Sequence, residues 1–289
     1  MIFDKRSKPK LDTVVKSLIP FALGCALFVA ACDTVSEGDA EDLIVVEAFL
    51  FAGEPVDNIR LTTTTPLNEE DAVEIPIADA QVRLIKESTV YELVSSGSDG
   101  TYQYPGGDLI VQSGDLFQLQ IEYKGIEITA FTEVPSPPTG TVMSTNLVAI
   151  PSIEGNPGAL REFIRNRDNA LSVTWNNPEN HLHFVAVRSP EDDFPDYILP
   201  EFIRDRFRGF ELLTEPTTTN FFDITLFQLE IVGNYSVTVY RINQEYADLY
   251  DSREQDSRDL NEPLSNIVGG VGVFSAFNGQ TTDFEIVRE

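Results

Sequence analysis

Residues 117–130 read FQLQIEYKGIEITA, Phe117 to Ala130. Apolar and polar side chains alternate without a fault from Phe117 to Tyr123, then Lys124-Gly125 interrupts, and Ile126-Glu127-Ile128-Thr129-Ala130 resumes the alternation. A period of two puts every second side chain on one face, so this is a β-hairpin with one buried and one wet side. The same pattern recurs on both flanks. Strands are predicted at Leu43 to Phe51, Ile59 to Thr64, Ala80 to Ile85 and Thr89 to Val94. The turn Ser96-Gly97-Ser98-Asp99-Gly100 then leads into Thr101-Tyr102-Gln103-Tyr104.

This first series ends near Val134, where Pro135-Ser136-Pro137-Pro138 follows. Three prolines in four residues favour extended geometry and cannot sit inside a central strand, so a boundary is predicted there. A second series carries Leu171 to Trp175, His183 to Val187, Phe221 to Phe227 and Tyr235 to Tyr240. Its last pair is expected to be a hairpin, Val271 to Phe274 joined to Phe284 to Ile286 around Asn278-Gly279, the dipeptide most favoured in tight hairpin turns. The predicted class is all-β, two tandem Ig-like β-sandwiches over 42–135 and 136–289, the second built round the lone Trp175. Helices are minor: one from Asn156-Pro157 through Leu160, Phe163 and Ile164, one on Tyr246, Leu249, Tyr250 and Arg253, and a short one from Pro200 through Phe207. The last two fall within two insertions, 243–266 and 189–210.

The amino-terminal end has a different logic. Lys5, Arg6, Lys8, Lys10 and Lys16 precede an apolar run from Leu18 to Ala31, which is shorter than the ~20 residues of a spanning helix and is followed at once by acids. That is the layout of a signal peptide, residues 1–31. Both cysteines of the chain fall here, Cys25 and Cys32, and Val29-Ala30-Ala31-Cys32 resembles the bacterial lipobox, in which the cysteine is lipidated. Lipidation of Cys32 by a diacylglyceryl group and an N-acyl chain such as palmitate would hold the protein on a membrane, because each buried CH₂ contributes about 0.8 kcal/mol and one chain alone binds only marginally. An acidic tether, 32–41, would follow. The mature chain would keep no thiol for a disulfide, a zinc-thiolate site or a nucleophile.

The formal charge of −27 becomes −30 once residues 1–31, with five basic and two acidic side chains, are removed. Nucleic acid is thereby excluded as a partner, since phosphate backbones need clustered cations. Beyond residue 31 only Lys86 and Lys124 are lysine, the other cations being arginine; a saline habitat or high-GC coding would each produce that bias.

Several stretches carry a family resemblance in this order: the lipobox; Val45 to Leu50 followed by Gly53-Glu54-Pro55-Val56; Ile77 to Val82; Thr132-Glu133-Val134-Pro135; and Ser265 to Phe274. Together they resemble the lipoproteins of the domain-of-unknown-function family 4249, typical of Bacteroidota-type envelopes. The resemblance implies an outer-membrane lipoprotein, often encoded beside TonB-dependent receptors, on the cell surface or the periplasmic face. It implies a transthyretin-like or carboxypeptidase-regulatory-like first domain, a fibronectin-III-like second one with helical insertions, and no catalytic residues or cofactors.

A direct search for chemistry finds little. His181 and His183 are the only histidines, and residues two apart on a strand share a face, so they are weak candidate metal ligands lacking an identified third. No Gly-x-Ser-x-Gly turn is present, and Gly269-Gly270-Val271-Gly272 precedes a strand rather than the helix a dinucleotide loop needs. Ser98-Asp99-Gly100 and Glu191-Asp192-Asp193 are acidic enough for calcium but match no EF-hand. Within the 189–210 insertion Phe194, Tyr197, Phe202 and Phe207 are candidates for contact with a partner or ligand, or for packing over the sandwich. Three functional readings stand: a non-catalytic accessory of a TonB-dependent transporter, an independent glycan- or peptide-binding module, and a metal-dependent enzyme using His181 and His183.

Overall fold

The computed structural model describes residues 43–63, 74–151, 157–166, 170–189, 211–226, 229, 232–253 and 265–288. Cys25, Cys32, the tether, Glu191 to Asp193, the expected helix from Pro200, and Phe194, Tyr197, Phe202 and Phe207 lie outside them. The chain from Asp42 to Glu289 is one compact unit.

The hairpin at 117–130 forms as the alternation requires. β7 (Leu116–Tyr123) pairs antiparallel with β8 (Ile126–Glu133), and Phe117, Leu119 and Ile121 are buried while the intervening residues face out. Lys124 and Gly125 have φ of 50° and 85°, the paired positive angles of a two-residue type I′ turn, whose twist matches that of the strands. With β4 (Gln81–Lys86) and β5 (Thr89–Ser95) this hairpin makes one layer of the first sandwich. The other layer holds β1 (Ile44–Phe51), β2 (Asn58–Thr63), the two-residue β3 (Ile75–Pro76) and β6 (Thr101–Gln103). Between them lies a core of Val46, Leu50, Leu61, Leu84, Phe117, Leu119 and their neighbours. The buried Tyr102 hydroxyl accepts a hydrogen bond from the Ala80 amide at 2.9 Å, which pins the entry of β4 to β6.

The second sandwich sets β9 (Thr139–Met143), β11 (Leu171–Asn176) and β14 (Phe221–Ile224) against β10 (Leu147–Ile150), β12 (His183–Arg188), β13 (Glu211–Leu213) and β15 (Gly233–Arg241). Its core includes Trp175, Val185, Val187, Tyr235, Val237 and Phe284. α1 (Pro157–Arg165) and α2 (Gln244–Arg253) fall where the apolar spacing puts them.

One element departs from expectation. Residues Val271–Arg288 form a single 18-residue strand, β16, with no turn at Asn278-Gly279. Its first half pairs parallel with β1, Val45 opposite Val271 through Phe51 opposite Phe277, and its second half pairs antiparallel with β15. Tertiary contacts override the local turn preference. The Asn278 side-chain amide donates to the Pro135 carbonyl at 2.8 Å. Gly279 lies opposite Tyr240, where a Cβ would come within 2.8 Å of the Tyr240 ring, so this glycine serves a close approach rather than a bend. The chain that leaves the first sandwich at Pro135 thus returns to it: Phe274 and Ala276 belong to the first core, Phe284 and Ile286 to the second. Among the described residues the β13-β12-β15-β16-β1-β2-β6-β5-β4-β7-β8 path is continuous.

Candidate functional site

Where β16 passes between the sandwiches, aromatic side chains gather. Ile44, Val46, Ala48 and Leu50 of β1 point into the first core, so the strand's other face carries Phe49 and Phe51 to the joint. β12 is buried on both faces; Val185 and Val187 fill the second core while Phe184 and Ala186 turn towards the joint. Tyr240, Phe277 and, from α2, Tyr246 complete the group. Phe51 stacks on Phe277 with ring centroids 4.9 Å apart, Phe184 stacks on Tyr240 at 5.0 Å, and Tyr246 meets Phe277 edge-on at 5.0 Å.

These rings line a cleft of about 240 Å³, with Arg188, Leu213 and Leu249 at its sides. Its chemistry is dispersion and π-face stacking. No acid-base pair lines it, and its size is slightly below the ~300 Å³ of the smallest ordinary ligand pockets. The sequence shows the strands but not the cleft, since aromatic residues on either strand face read equally well as core. One signal was available: β1 is apolar on both faces at its end, and β12 throughout Phe184 to Val187, which marks strands covered on both sides.

A polar seam locks the joint beside the cleft. The Asn266 side chain brackets one residue of β16, accepting from the Phe274 amide at 2.9 Å and donating to its carbonyl at 2.7 Å. Thr132 Oγ1 donates to Glu245 Oε1 at 2.9 Å, Ser275 Oγ donates to the same oxygen at 3.3 Å, and Asn243 donates to the Glu133 carbonyl at 2.8 Å. The start of α2 is thereby fixed to β8 and β16.

The two histidines do not converge. His181 precedes β12 and is partly exposed, its Nε2 within 2.6 Å of Glu179 Oε2 and 2.9 Å of Arg241 Nη2, so that nitrogen either donates to the carboxylate or accepts from the guanidinium. His183 is buried beneath it, Nδ1 donating to the His181 carbonyl at 3.0 Å and the ring 5.5 Å from that of Trp175. Among the described residues no group of three or more His, Cys, Asp or Glu is placed to hold a metal ion. Asp99, the other candidate within them, is engaged locally: its carboxylate accepts from the Thr101 amide at 3.1 Å, and that bond lowers its pKa.

Burial pushes the His183 pKa down to about 4 from an ordinary 6.5, because the charged ring loses its water. The unfolded chain therefore binds the proton first as pH falls. The contribution is complete above pH 6.5 and is lost as the pH drops towards 4, by up to about 3 kcal/mol. His183→Gln should flatten this part of the stability profile, measured by urea unfolding at intervals between pH 7 and pH 4; equal slopes in the two proteins would refute the assignment.

Three of the stretches that carry the family resemblance map onto this joint and its supports. Val45 to Leu50 is β1, Thr132 to Pro135 is the exit from β8, and Ser265 to Phe274 is the clamp and the start of β16. Their shared role within the described residues is to seat the carboxy-terminal strand. No curated protein matches the chain. A family model, Domain of unknown function (DUF4249), matches residues 32–283, which covers both sandwiches and the joint between them, and the chain belongs to that family.

Proposed function

We propose that the protein is a non-catalytic cell-envelope lipoprotein, anchored in the outer membrane through lipid on Cys32, that assists a TonB-dependent transporter by binding the transporter or capturing its nutrient. The observation that carries the anchoring is the family match beginning at residue 32, the lipobox cysteine, and leaving out the basic and apolar leader before it. A role in binding is supported by the aromatic cleft at the joint. The tether joins the start of β1, whereas Phe49 and Phe51 stand at that strand's far end, seven residues and roughly 23 Å on. Tethering raises the local concentration of the cleft beside a membrane partner.

The cleft also favours a second reading, an independent glycan- or peptide-binding module, because aromatic faces stack on sugar rings and on apolar side chains. The histidine enzyme is a remote third reading that no convergence of His181 and His183 supports. The anchor is tested by mass spectrometry of native protein: a diacylated, N-acylated peptide beginning at Cys32 is expected, and Cys32→Ser should move the protein out of the membrane fraction. An unmodified thiol there would refute it. Crosslinking in intact envelopes separates the binding readings, a β-barrel adduct supporting assistance and retention on polysaccharide without one supporting independent binding.

A further inference from the structure

The outer face of the β5-β4-β7-β8 layer breaks the rule that a solvated sheet face is polar. Register places Val90 opposite Ile85, Ile85 opposite Gln118, and Gln118 opposite Phe131, one row across four strands. Leu116 stands one step along β7 to one side of that row, and Val268, bridged to Thr129, stands one step to its other side, beyond β8. Leu116, Phe131 and Val268 are 66, 65 and 68 % exposed, and Val90 is half exposed. Isolated exposed apolar residues are ordinary, but several of them gathered on adjacent rows of one sheet face mark a contact surface.

The charges round the strip select its occupant. Arg83 is engaged by Glu92 at 2.9 Å and Lys86 by Asp115 at 2.6 Å, whereas Glu122, Glu127 and Glu133 on the same two strands enter no ion pair among the described residues. A second copy would set three carboxylates against three, on chains already at −30 after loss of the leader. An anionic lipid surface is disfavoured for the same reason. The middle of the β8 edge is occupied, because the Thr129 amide and carbonyl are taken by Val268 at 3.0 and 2.8 Å and the Phe131 carbonyl accepts from Asn266 at 3.3 Å, so the apolar side chains offer contact through the face.

We infer that this face docks a different protein, one presenting an apolar strip rimmed by lysine or arginine. The inference deepens the transporter-accessory reading by naming the surface that would meet the partner, and it rests on that reading for where the partner resides. Acid rims of this kind speed encounter and set the orientation, while the apolar strip holds the complex.

The test uses the full lipidated chain in its own envelope, with a photo-crosslinking residue at Gln118 and, as a control, at the exposed Thr174 of the second sandwich. One heteromeric adduct is expected from Gln118 and none from Thr174. Phe131→Ser with Leu116→Ser should cut its yield at least tenfold, as should Glu122→Lys with Glu127→Lys. The partner peptide identified in the adduct should carry Lys or Arg beside apolar residues. An adduct of twice the chain mass, a lipid adduct, an acidic partner peptide, no adduct, or insensitivity to these substitutions would each overturn the inference. The exposed positions leave the core intact, and unchanged urea midpoints of the variants verify this. Adding the Cys32→Ser chain to washed envelopes separates the two claims: if it forms the adduct while remaining unbound to lipid in the partner's absence, the face stands without the anchor.

Discussion

Removal of Val271–Arg288 is expected to leave neither sandwich folded. The strand contributes Phe274 and Ala276 to the first core, Phe277 to the aromatic joint, and Phe284 and Ile286 to the second core. Its loss also strips β1 of its parallel partner and β15 of its antiparallel one. Truncating a single buried Phe costs about 3–5 kcal/mol and a whole domain is stable by only about 5–15 kcal/mol, so each sandwich, losing a core phenylalanine, its aliphatic neighbour and a full strand pairing at once, loses most or all of its margin. Trp175 fluorescence reports the second sandwich, and amide exchange at Leu119 and Ile121 reports the first. Both probes should show an unfolded chain. If the β7 and β8 amides remain protected in the truncated protein, the first sandwich is autonomous and the coupling through β16 is refuted.

The same strand shows why the chain is only partly legible as sequence. At Phe117 to Ala130 every level agrees: the alternation, the turn dipeptide and the burial all specify one hairpin, so local reading suffices. At Asn278-Gly279 they conflict. The dipeptide favours a turn, but nothing local records that Pro135 offers a carbonyl 143 residues away or that Tyr240 needs the space a side chain would fill. Short strands such as β3, β10 and β13 were missed because two to four residues carry no period.

The candidate sites follow the same division. His181 and His183 share a spacing, but the strand begins at His183, so the alternation that would align the two rings is absent. One ring enters the core and the other stays at the surface. The cleft could not be found from any one segment, because Phe49, Phe184, Tyr240 and Phe277 come from four strands and only the return of β16 brings them together. In contrast, the Gly-rich stretch 269–272 is visible in sequence and its placement before a strand sets it apart from a dinucleotide loop, yet its structural purpose requires the neighbour it approaches.

That purpose yields the second large effect. Gly272→Ala should destabilise the protein by about 3 kcal/mol or more, a cost comparable to losing a core phenylalanine, although the change adds one methyl group. Gly272 has φ of 117°, a conformation that side chains rarely adopt, and lies opposite Val46 in the parallel pairing. An added Cβ would press into the Val46 carbonyl oxygen and also fall 2.9 Å from the Val46 nitrogen, and both neighbours are backbone in a central strand that cannot swing aside. Relief would require β16 to part from β1 where Asn266 clamps Phe274, so the strain and the clamp act on the same segment. Asn266→Ala in the Gly272→Ala background should then cost less than Asn266→Ala alone, because the pairing it secures is already broken. A double-mutant cycle by urea unfolding measures this coupling. Additive losses would mean that the glycine and the asparagine stabilise the strand independently, whereas a wild-type midpoint for Gly272→Ala would show that β16 does not lie against β1 as described.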